Sequence, residues 1–228
     1  CASASVSVMV KALIEGRLKV KDPGSILCTP DSSCYDIDHL PAGVAQSTVT
    51  FYCGSNFIPL AVSDGKYSSR PANGAASTFE GELVNCLTTI QATAELNYYD
   101  NITVGTGFPP AGCPPPAGGG INRTAALNVG PVSLQQGQPN AVNVFYPLPI
   151  FLHHGVLSCY TTWNEWVQAL NSAGYIVFTP SHNFLSPDRI EPVNFYNYAV
   201  EAKGQMDKDL VGLFSNPSVP QYYFIAHS

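Results

Sequence analysis

The sequence predicts a molecule in two parts, a β-rich N-terminal region followed by part of an α/β domain with a mainly parallel sheet. Two patterns support this prediction. In the first 106 residues apolar side chains recur at every second position, as at Val6, Val8 and Val10, which is the period of a strand. After residue 147 short apolar segments alternate with helical segments, which is typical of strands joined by crossover helices.

A tract rich in proline and glycine, residues 107–120, separates the two parts. We therefore divide the chain into a β-rich, cysteine-containing region at 1–106, a linker at 107–120, and the N-terminal half of an α/β domain at 121–228. The third part begins with two further predicted strands, at 125–134 and 140–147. The N-terminal region shows no catalytic arrangement, and we interpret His39 as part of a polar loop.

Residues 161–174 have the pattern of an amphipathic helix. Thr162 and Glu165 are spaced as a capping box, and Gly174 supplies the C-terminal stop. The apolar residues of this segment fall at helical spacing and predict its core face: Trp163, Trp166, Val167 and Leu170. A second helix is predicted at about 198–214, with Met206 and Leu210 on its buried face. Asp207 and Asp209 are interpreted as its solvated face.

Three apolar segments of the third part are predicted as strands that are buried in the sheet, namely 148–154, 175–180 and 222–226. In a parallel sheet ligands collect at the carboxyl ends of the strands. Those ends carry the sequences HHGV (153–156), PSHN (180–183) and AHS (226–228). We interpret His154 and His182 as structural residues, hydrogen-bonded near their strand ends.

The cysteine usage favours an oxidising compartment. Six of the seven cysteines lie in the first half of the chain, and no CxxC pair or zinc-like Cys/His spacing is present. Six cysteines allow 15 pairings, among which the sequence does not choose. Cys159 has no evident partner and is expected to be a buried free thiol. Sequons at Asn101 and Asn122 point to the same compartment, so we predict a secreted, glycosylated, disulfide-bonded protein.

Composition also excludes several classes of partner. The net charge is −6, and no basic patch is visible, which argues against nucleic acid. No segment is apolar enough to span a membrane. No metal and no organic cofactor is implied by the residues.

The final strand end is the clearest site for chemistry. A serine becomes a nucleophile when a base takes its proton, and the intermediate needs donors aimed at its oxyanion. In a nucleophile elbow the serine follows a strand, with small residues two before and two after it. Ala226, His227 and Ser228 match the first half of that pattern. Gly155 permits a bend after the earlier strand, where the Val156 N–H could face the oxyanion.

These segments, in their order, resemble the first half of an α/β-hydrolase. The resemblance is closest to the branch of chlorophyllases, platelet-activating-factor acetylhydrolases and cutinase-like polyester hydrolases. It rests on the stretches PIFLHHGVLS, WVQALNSAGYIVFTPSHN, GQMDKDLVGLF and YYFIAHS. It implies a serine esterase with Ser228 as nucleophile and the Val156 N–H as oxyanion donor, without metal or cofactor. The implied substrate is an apolar ester of lipid, pigment or polyester type.

The sequence departs from the family pattern at the elbow. Ala226 stands where glycine is usual, and a methyl group still fits such a turn. In this superfamily the triad acid and histidine follow the serine. They are therefore expected beyond residue 228, and the 228 residues alone are expected to be inactive.

A different class of function remains open. The chain could be a non-catalytic structural or binding glycoprotein that uses a hydrolase-like scaffold. The residues encoded after Ser228 discriminate the two, since an enzyme needs a small residue at position 230, a later acid and a late histidine. The aromatic loop at 184–198 is compatible with a substrate-contacting lid and with an ordinary packed loop.

Overall fold

The computed structural model describes residues 13–21, 34–54, 56–70, 89–102, 113, 116–135, 138–155, 158–181, 192–214 and 221–227. Within these ranges lie two α-helices, α1 (Asn164–Ser172) and α2 (Pro192–Val211). The strands within the same ranges are β1 (Leu13–Lys21), β2 (Cys34–Asp36), β3 (Thr48–Cys53), β4 (Asn56–Ala61), β5 (Lys66–Ser68), β6 (Thr89–Asn101), β7 (Gly120–Ser133), β8 (Pro139–Ala141), β9 (Val144–Tyr146), β10 (Ile150–His153), β11 (Val177–Phe178) and β12 (Tyr223–Ala226).

One sheet is antiparallel and has the strand order β4–β3–β6–β7. Its largest unit is the pairing of the long strands β6 and β7, which lie on either side of the tract 107–120 and are shifted by a bulge at Ala92/Thr93. Side chains of β6 alternate strictly, with Ala92, Ala94, Leu96 and Tyr98 buried and their neighbours more exposed. This is the period-two pattern of a sheet with one covered face.

A second, mixed sheet is organised around β1. Strands β2 and β5 pair with β1 antiparallel, whereas β8 and β9 pair with it in parallel. Ile14, Leu18 and Val20 of β1 enter the same core as Val49 and Phe51 of the antiparallel sheet. The two sheets therefore share one apolar interior.

The third sheet is parallel, small, and ordered β11–β10–β12. Alternate residues of β10 pack against different helices. Ile150 and Leu152 lie in a cluster with Val167 of α1, whereas Phe151 lies in the main core with Met206 of α2. The two helices thus cover opposite faces of β10, as right-handed crossovers require when the chain first moves to one side of this strand and then to the other.

The predicted fold class, an α/β domain with a mainly parallel sheet, is wrong for the molecule. Within the described residues strands make up 48% and helices 21%, and the sheets found there are antiparallel or mixed apart from the small one around β10. The reason lies in residues 121–146, which the sequence pattern places in the α/β part. They pair with β6 and β1 of the N-terminal region instead. The division at 107–120 stays a prediction.

The first predicted helix is present, but its details differ. A 3-10 turn, Tyr160–Trp163, precedes α1, and no side chain caps the helix, so the predicted capping box is wrong. The hydroxyl of Thr162 pairs with that of Ser158 instead. Trp163 and Val167 face the core, while Trp166 is 62% exposed, contrary to the prediction.

Gly174 ends α1 as predicted. Its φ is +85°, and the Tyr175 N–H donates to the Leu170 carbonyl, which closes the last turn. A Cβ at this position would lie 2.6 Å from Leu127 Cδ1. The site therefore demands glycine both for its backbone angle and for its packing against β7.

We expect Gly174→Ala to lower the free energy of unfolding by about 1–3 kcal/mol, since it adds left-handed strain and a clash. Gly204→Ala is the matched control. Gly204 lies inside α2, and a Cβ there would meet no neighbouring atom within 4 Å beyond the backbone of its own helix. Alanine at that position should stabilise by about 0.5–1 kcal/mol. Urea unfolding of both variants measures the difference. Equal effects of the two substitutions would contradict this prediction.

The expectation that Cys159 is a free thiol is wrong. It forms a disulfide with Cys113, with the Cα atoms 6.1 Å apart, and both side chains are buried against Ile102 and Tyr160. The partner lies 46 residues away within the proline-rich tract. Local sequence could not reveal this pairing, because it depends on the segment after β10 packing beside Ile102, at the end of β6. Cys34 is disulfide-bonded as well.

Candidate functional site

The carboxyl ends of the parallel strands form the candidate site. β10 ends at His153 and β12 at Ala226, and these two residues are register partners. The His227 N–H donates to the His153 carbonyl over 3.0 Å, which extends the pairing by one residue. Because the chain moves from β10 to β11 on one side and then to β12 on the other, β10 marks a topological switch point. Such points are where open parallel sheets bind ligands.

Both predicted site residues, Ser228 and Val156, lie outside the described residues. The structure does place their chain neighbours. Gly155 follows the end of β10, His227 follows the end of β12, and the two strand ends lie side by side. The assignment of Ser228 as nucleophile and of the Val156 N–H as oxyanion donor therefore stays a prediction. His182 also lies outside the described residues.

A buried polar chain occupies the same edge. His154 is 1% exposed; its Nδ1 lies 2.9 Å from the Gly155 carbonyl oxygen and its Nε2 lies 3.1 Å from Ser181 Oγ. A carbonyl can only accept, so Nδ1 bears the proton. In the neutral ring Nε2 then accepts from the Ser181 hydroxyl. The interpretation of His154 as a structural, hydrogen-bonded residue agrees with this geometry.

Ser181 is in turn held by α2. Its N–H donates to Gln205 Oε1 over 3.0 Å, and Gln205 Nε2 donates to the Ser181 carbonyl over 2.6 Å. This paired contact is the pattern that a neighbouring strand would make, supplied here by one side-chain amide. We name His154, Ser181 and Gln205 the polar clamp. It joins the end of β10, the segment after β11 and helix α2.

Ser181 and His154 have the hydrogen bond of a nucleophile–base pair, but their burial argues against catalysis by them. Ser181 is 3% exposed, so a substrate has no access to its hydroxyl. Two surface cavities of about 700 and 570 Å³ are lined by residues of other strands, such as Glu15, Lys66 and Ala141, and by none of the clamp.

The two adjacent histidines are both held neutral. Burial lowers the pKa of His153 to about 4, with a further contribution from the charge of His154. Burial also lowers the pKa of His154, against the opposing hydrogen bond to Gly155. Their rings stack with centroids 5.5 Å apart. A base with a pKa near 4 holds a proton poorly at neutral pH, which disfavours His153 as the general base.

An indole donor lies at the same edge. Trp163 packs against the His227 ring, edge to face, with centroids 6.3 Å apart. Its Nε1 is buried and has no hydrogen-bond partner among the described residues. A buried donor without a partner costs free energy, so a group that accepts from Trp163 would be bound favourably here.

Buried charges anchor this edge to the antiparallel sheet. Asp100 of β6, fully buried, accepts from Arg123 Nε over 2.7 Å and from both the N–H and the hydroxyl of Thr179, just after β11.

The interpretation of Asp209 in α2 as a solvent-facing residue is wrong. Asp209 is 1% exposed and accepts from the backbone and the side chain of Asn101. Asp207 is exposed, as expected, and pairs with Lys203.

Tyr98 completes this anchor. Its hydroxyl accepts from the Val177 N–H over 2.8 Å and lies within hydrogen-bond distance of the Val177 carbonyl and of Asn171 Oδ1. One phenol thus contacts both backbone groups of Val177 in the two-residue strand β11. Burial raises its pKa far above the ordinary value, so the hydroxyl keeps its proton.

Sequence reasoning missed Ser181, Gln205 and Asp100. One signal was available for Gln205 and Asp209: both fall within the apolar stripe of α2, beside Met206 and Leu210. Polar residues in such a stripe are expected to be paired in the interior. No comparable local signal marks Ser181, since its partners are distant in sequence.

Among the described residues no group of three His, Cys, Asp or Glu side chains could hold a metal ion. In the same part of the chain no helix is long and apolar enough to cross a membrane.

A scan against protein-family models and searches of curated proteins and of solved structures return no match for this chain. The resemblance to α/β-hydrolases therefore rests on the residues themselves.

Proposed function

We propose that the protein is a serine-dependent carboxylic ester hydrolase in which Ser228 is the nucleophile. One observation supports this most strongly: the parallel register of β10 with β12 brings the strand ends before Val156 and before Ser228 together at a topological switch point. A nucleophile and an oxyanion donor must lie about one acyl group apart, and adjacent strand ends provide that separation.

The mechanism we propose is acyl transfer in two steps. The Ser228 hydroxyl attacks the ester carbonyl and passes its proton to a histidine outside these 228 residues, which returns it to the departing alcohol. The Val156 N–H and that of the residue after Ser228 hold the oxyanion. Water then cleaves the acyl-enzyme by the same route. In this scheme the described histidines take no proton.

The exposure of β12 supports the proposal that further polypeptide packs here. Tyr223, Phe224 and Ile225 of β12 are each 44–50% exposed, although the sequence predicts a buried strand at this segment. Neighbouring strand residues point to opposite faces, so both faces of β12 are apolar and uncovered. A strand of this composition belongs inside a sheet. We propose that the segment with the triad acid and histidine covers it.

The substrate class follows from the same surface. The switch point is surrounded by aromatic rings, since Phe224 lies against His153 and Trp163 against His227. No charged residue belongs to β10, β11 or β12. An apolar acyl or alcohol group fits such surroundings better than a charged one, which favours lipid-like, pigment or polyester esters.

A fluorophosphonate probe tests the nucleophile. We expect stoichiometric labelling of Ser228 in the natural full-length protein and no labelling of Ser228→Ala, because only an activated serine reacts. Ser172→Ala, at the exposed end of α1, is the matched control and should label like the wild type. Folded wild-type protein that does not react would overturn the proposal.

A non-catalytic extracellular glycoprotein is the second candidate. The observation that favours it is the predominance of antiparallel and mixed sheet, which is common in binding and structural modules. Of the two sequons, Asn122 is exposed on β7, whereas Asn101 is half-buried and its amide is held by Asp209. Secretion and glycosylation stay proposals. A glycan found on Asn122 together with an unreactive Ser228 would favour this candidate.

A further inference from the structure

A cavity of about 700 Å³ lies on the outer face of the mixed sheet, over β1 and β5 and beside the end of β4. Small-molecule sites in proteins are of this size, roughly 300–1,000 Å³. We name it the β1–β5 cavity. Its walls carry polar and charged side chains, namely Glu15, Arg17, Lys19, Ser63, Lys66, Ser68 and Asn143. No residue of β10, β11 or β12 lines it, so binding here can be tested apart from chemistry at those strand ends.

Positive charge is concentrated in this cavity by the register of β1 with β5. Arg17 and Lys66 are direct partners on these antiparallel strands. Both are exposed on the outer face, whereas their chain neighbours Leu18 and Tyr67 lie in the core. Side chains directly opposite one another have Cβ atoms about 4.5–5.5 Å apart, and like charges at that separation destabilise a sheet. An anion between the two side chains would remove this repulsion.

The carboxylates of the protein do not neutralise these cations. Asp36 is bound by Arg17 Nη1 over 2.7 Å and by Lys19 Nζ over 2.6 Å, so two cations share one carboxylate. Lys66 makes no ion pair among the described residues, and neither does Glu15, which lies on the same face of β1 as Arg17. Three cations therefore face two carboxylates, in a chain whose net charge is −6. This local excess of positive charge is complementary to an anionic group.

Uncharged hydrogen-bonding groups occupy other parts of the wall. The Arg17 N–H donates to Asn143 Oδ1 over 3.1 Å, which leaves the amide NH₂ of Asn143 as a donor for a ligand. Ser68 Oγ accepts from the Arg70 N–H over 3.0 Å, so the hydroxyl of Ser68 can still donate its own hydrogen. An ionised carboxylate such as that of Glu15 only accepts. A ligand with several hydroxyl groups can bind all three side chains, because a hydroxyl both donates and accepts.

We propose that the β1–β5 cavity binds an acidic saccharide. Its carboxylate lies between Arg17 and Lys66, and its hydroxyl groups are bound by Glu15, Ser68 and Asn143. A small inorganic anion would leave most of the cavity to water, since one water molecule takes only about 30 Å³ in the liquid. A ligand with several negative charges fits less well, because a second charge would approach Glu15. This inference goes beyond the proposed esterase function and does not depend on it.

Isothermal titration calorimetry of the natural full-length protein tests the proposal with three probes. The first is an aldobiouronic acid, the disaccharide of glucuronate and xylose. The second is glucosyl-xylose, in which a CH₂OH group replaces the carboxylate, and the third is acetate, a carboxylate without a sugar. We expect saturable binding of the aldobiouronic acid, at least about 10-fold tighter than that of either other probe, because only this disaccharide engages both the cations and the hydroxyl-binding groups.

Lys66→Gln removes the unpaired cation and keeps a polar side chain. We expect it to weaken binding of the aldobiouronic acid by about 10-fold or more, the loss typical of one hydrogen bond to a charged group. Lys208→Gln, at an exposed lysine of α2, is the matched control and should bind like the wild type. In urea unfolding, Lys66→Gln should be at least as stable as the wild type, since it relieves the repulsion from Arg17.

Four results would overturn the proposal: no binding of the aldobiouronic acid, equal affinity for the two disaccharides, equal weakening by the two lysine variants, or a Lys66→Gln variant less stable than the wild type. Acetate that binds as tightly as the aldobiouronic acid would contradict the saccharide assignment, because the cavity would then recognise a bare carboxylate. None of these results bears on Ser228, whose reactivity the fluorophosphonate probe reports separately.

Discussion

Replacing Arg123 with methionine should destabilise the fold by about 3–5 kcal/mol, the cost expected when one partner of a buried ion pair is removed. Asp100 is fully buried and the Arg123 side chain is 9% exposed. The variant leaves a carboxylate in the interior without its cation, although Thr179 still donates to it. Urea unfolding at pH 7 measures the change. Because Asp100 links β6 to the end of β11, the parallel sheet should unfold before the rest of the molecule as urea is added.

Two further variants test whether the loss of the buried ion pair causes this destabilisation. Lys203→Met removes an ion pair on the exposed face of α2, where the side chains are 74% and 55% exposed, and should leave the unfolding midpoint unchanged. The double variant Arg123→Met with Asp100→Asn removes the buried charge and should recover part of the lost stability. If Arg123→Met unfolds at the same urea concentration as Lys203→Met, the buried pair is not what stabilises this edge.

The second large effect is a loss of stability with rising pH that depends on Asp209. Burial, with a further contribution from the charge of Asp100, raises the pKa of Asp209 well above its ordinary value. The folded state therefore keeps a proton that the unfolded state releases above about pH 4. Between about pH 4 and the folded pKa, the free energy of unfolding falls by up to about 1.4 kcal/mol per pH unit. Below about pH 4 this contribution is fully present.

Asp209→Asn isolates this effect, because asparagine cannot ionise and its carbonyl can still accept from Asn101. Urea unfolding of wild type and variant between pH 4 and 8 gives the difference in free energy. We expect the free energy of unfolding of Asp209→Asn to rise relative to that of the wild type as the pH increases. Asp207→Asn, at the exposed neighbouring carboxylate, should show no such gain. Parallel pH profiles for wild type and Asp209→Asn would rule out a protonated Asp209 in the fold.

The buried charges beside the parallel sheet explain why the effect of Arg123→Met and the pH effect of Asp209 are coupled. Asp100 and Asp209 face one guanidinium, that of Arg123, so two ionised carboxylates would leave an excess negative charge in the interior. Burial raises the pKa of Asp100 too, but Arg123 and Thr179 oppose that rise. Asp209 has only Asn101 as a donor among the described residues and therefore keeps the proton more readily.

The sequence by itself determined the local structure and which face of each helix is buried. Helical spacing identified Val167, Met206 and Leu210 as buried residues of α1 and α2, and a positive φ at Gly174 follows from its place after the last turn. The continuous apolar run at β10 correctly indicated a strand covered on both sides. These features depend on neighbours within a few residues, and the period of the apolar pattern records them directly.

Only the tertiary structure decided which elements meet. β1 pairs in parallel with β8 and β9, more than a hundred residues later, and residues 121–146 join the N-terminal sheets instead of a parallel one. The burial of Asp209, the exposure of Trp166 and the partner of Cys159 follow from that arrangement. An alternating pattern predicts a strand but not its partner or direction, because partners are selected by packing over the whole core.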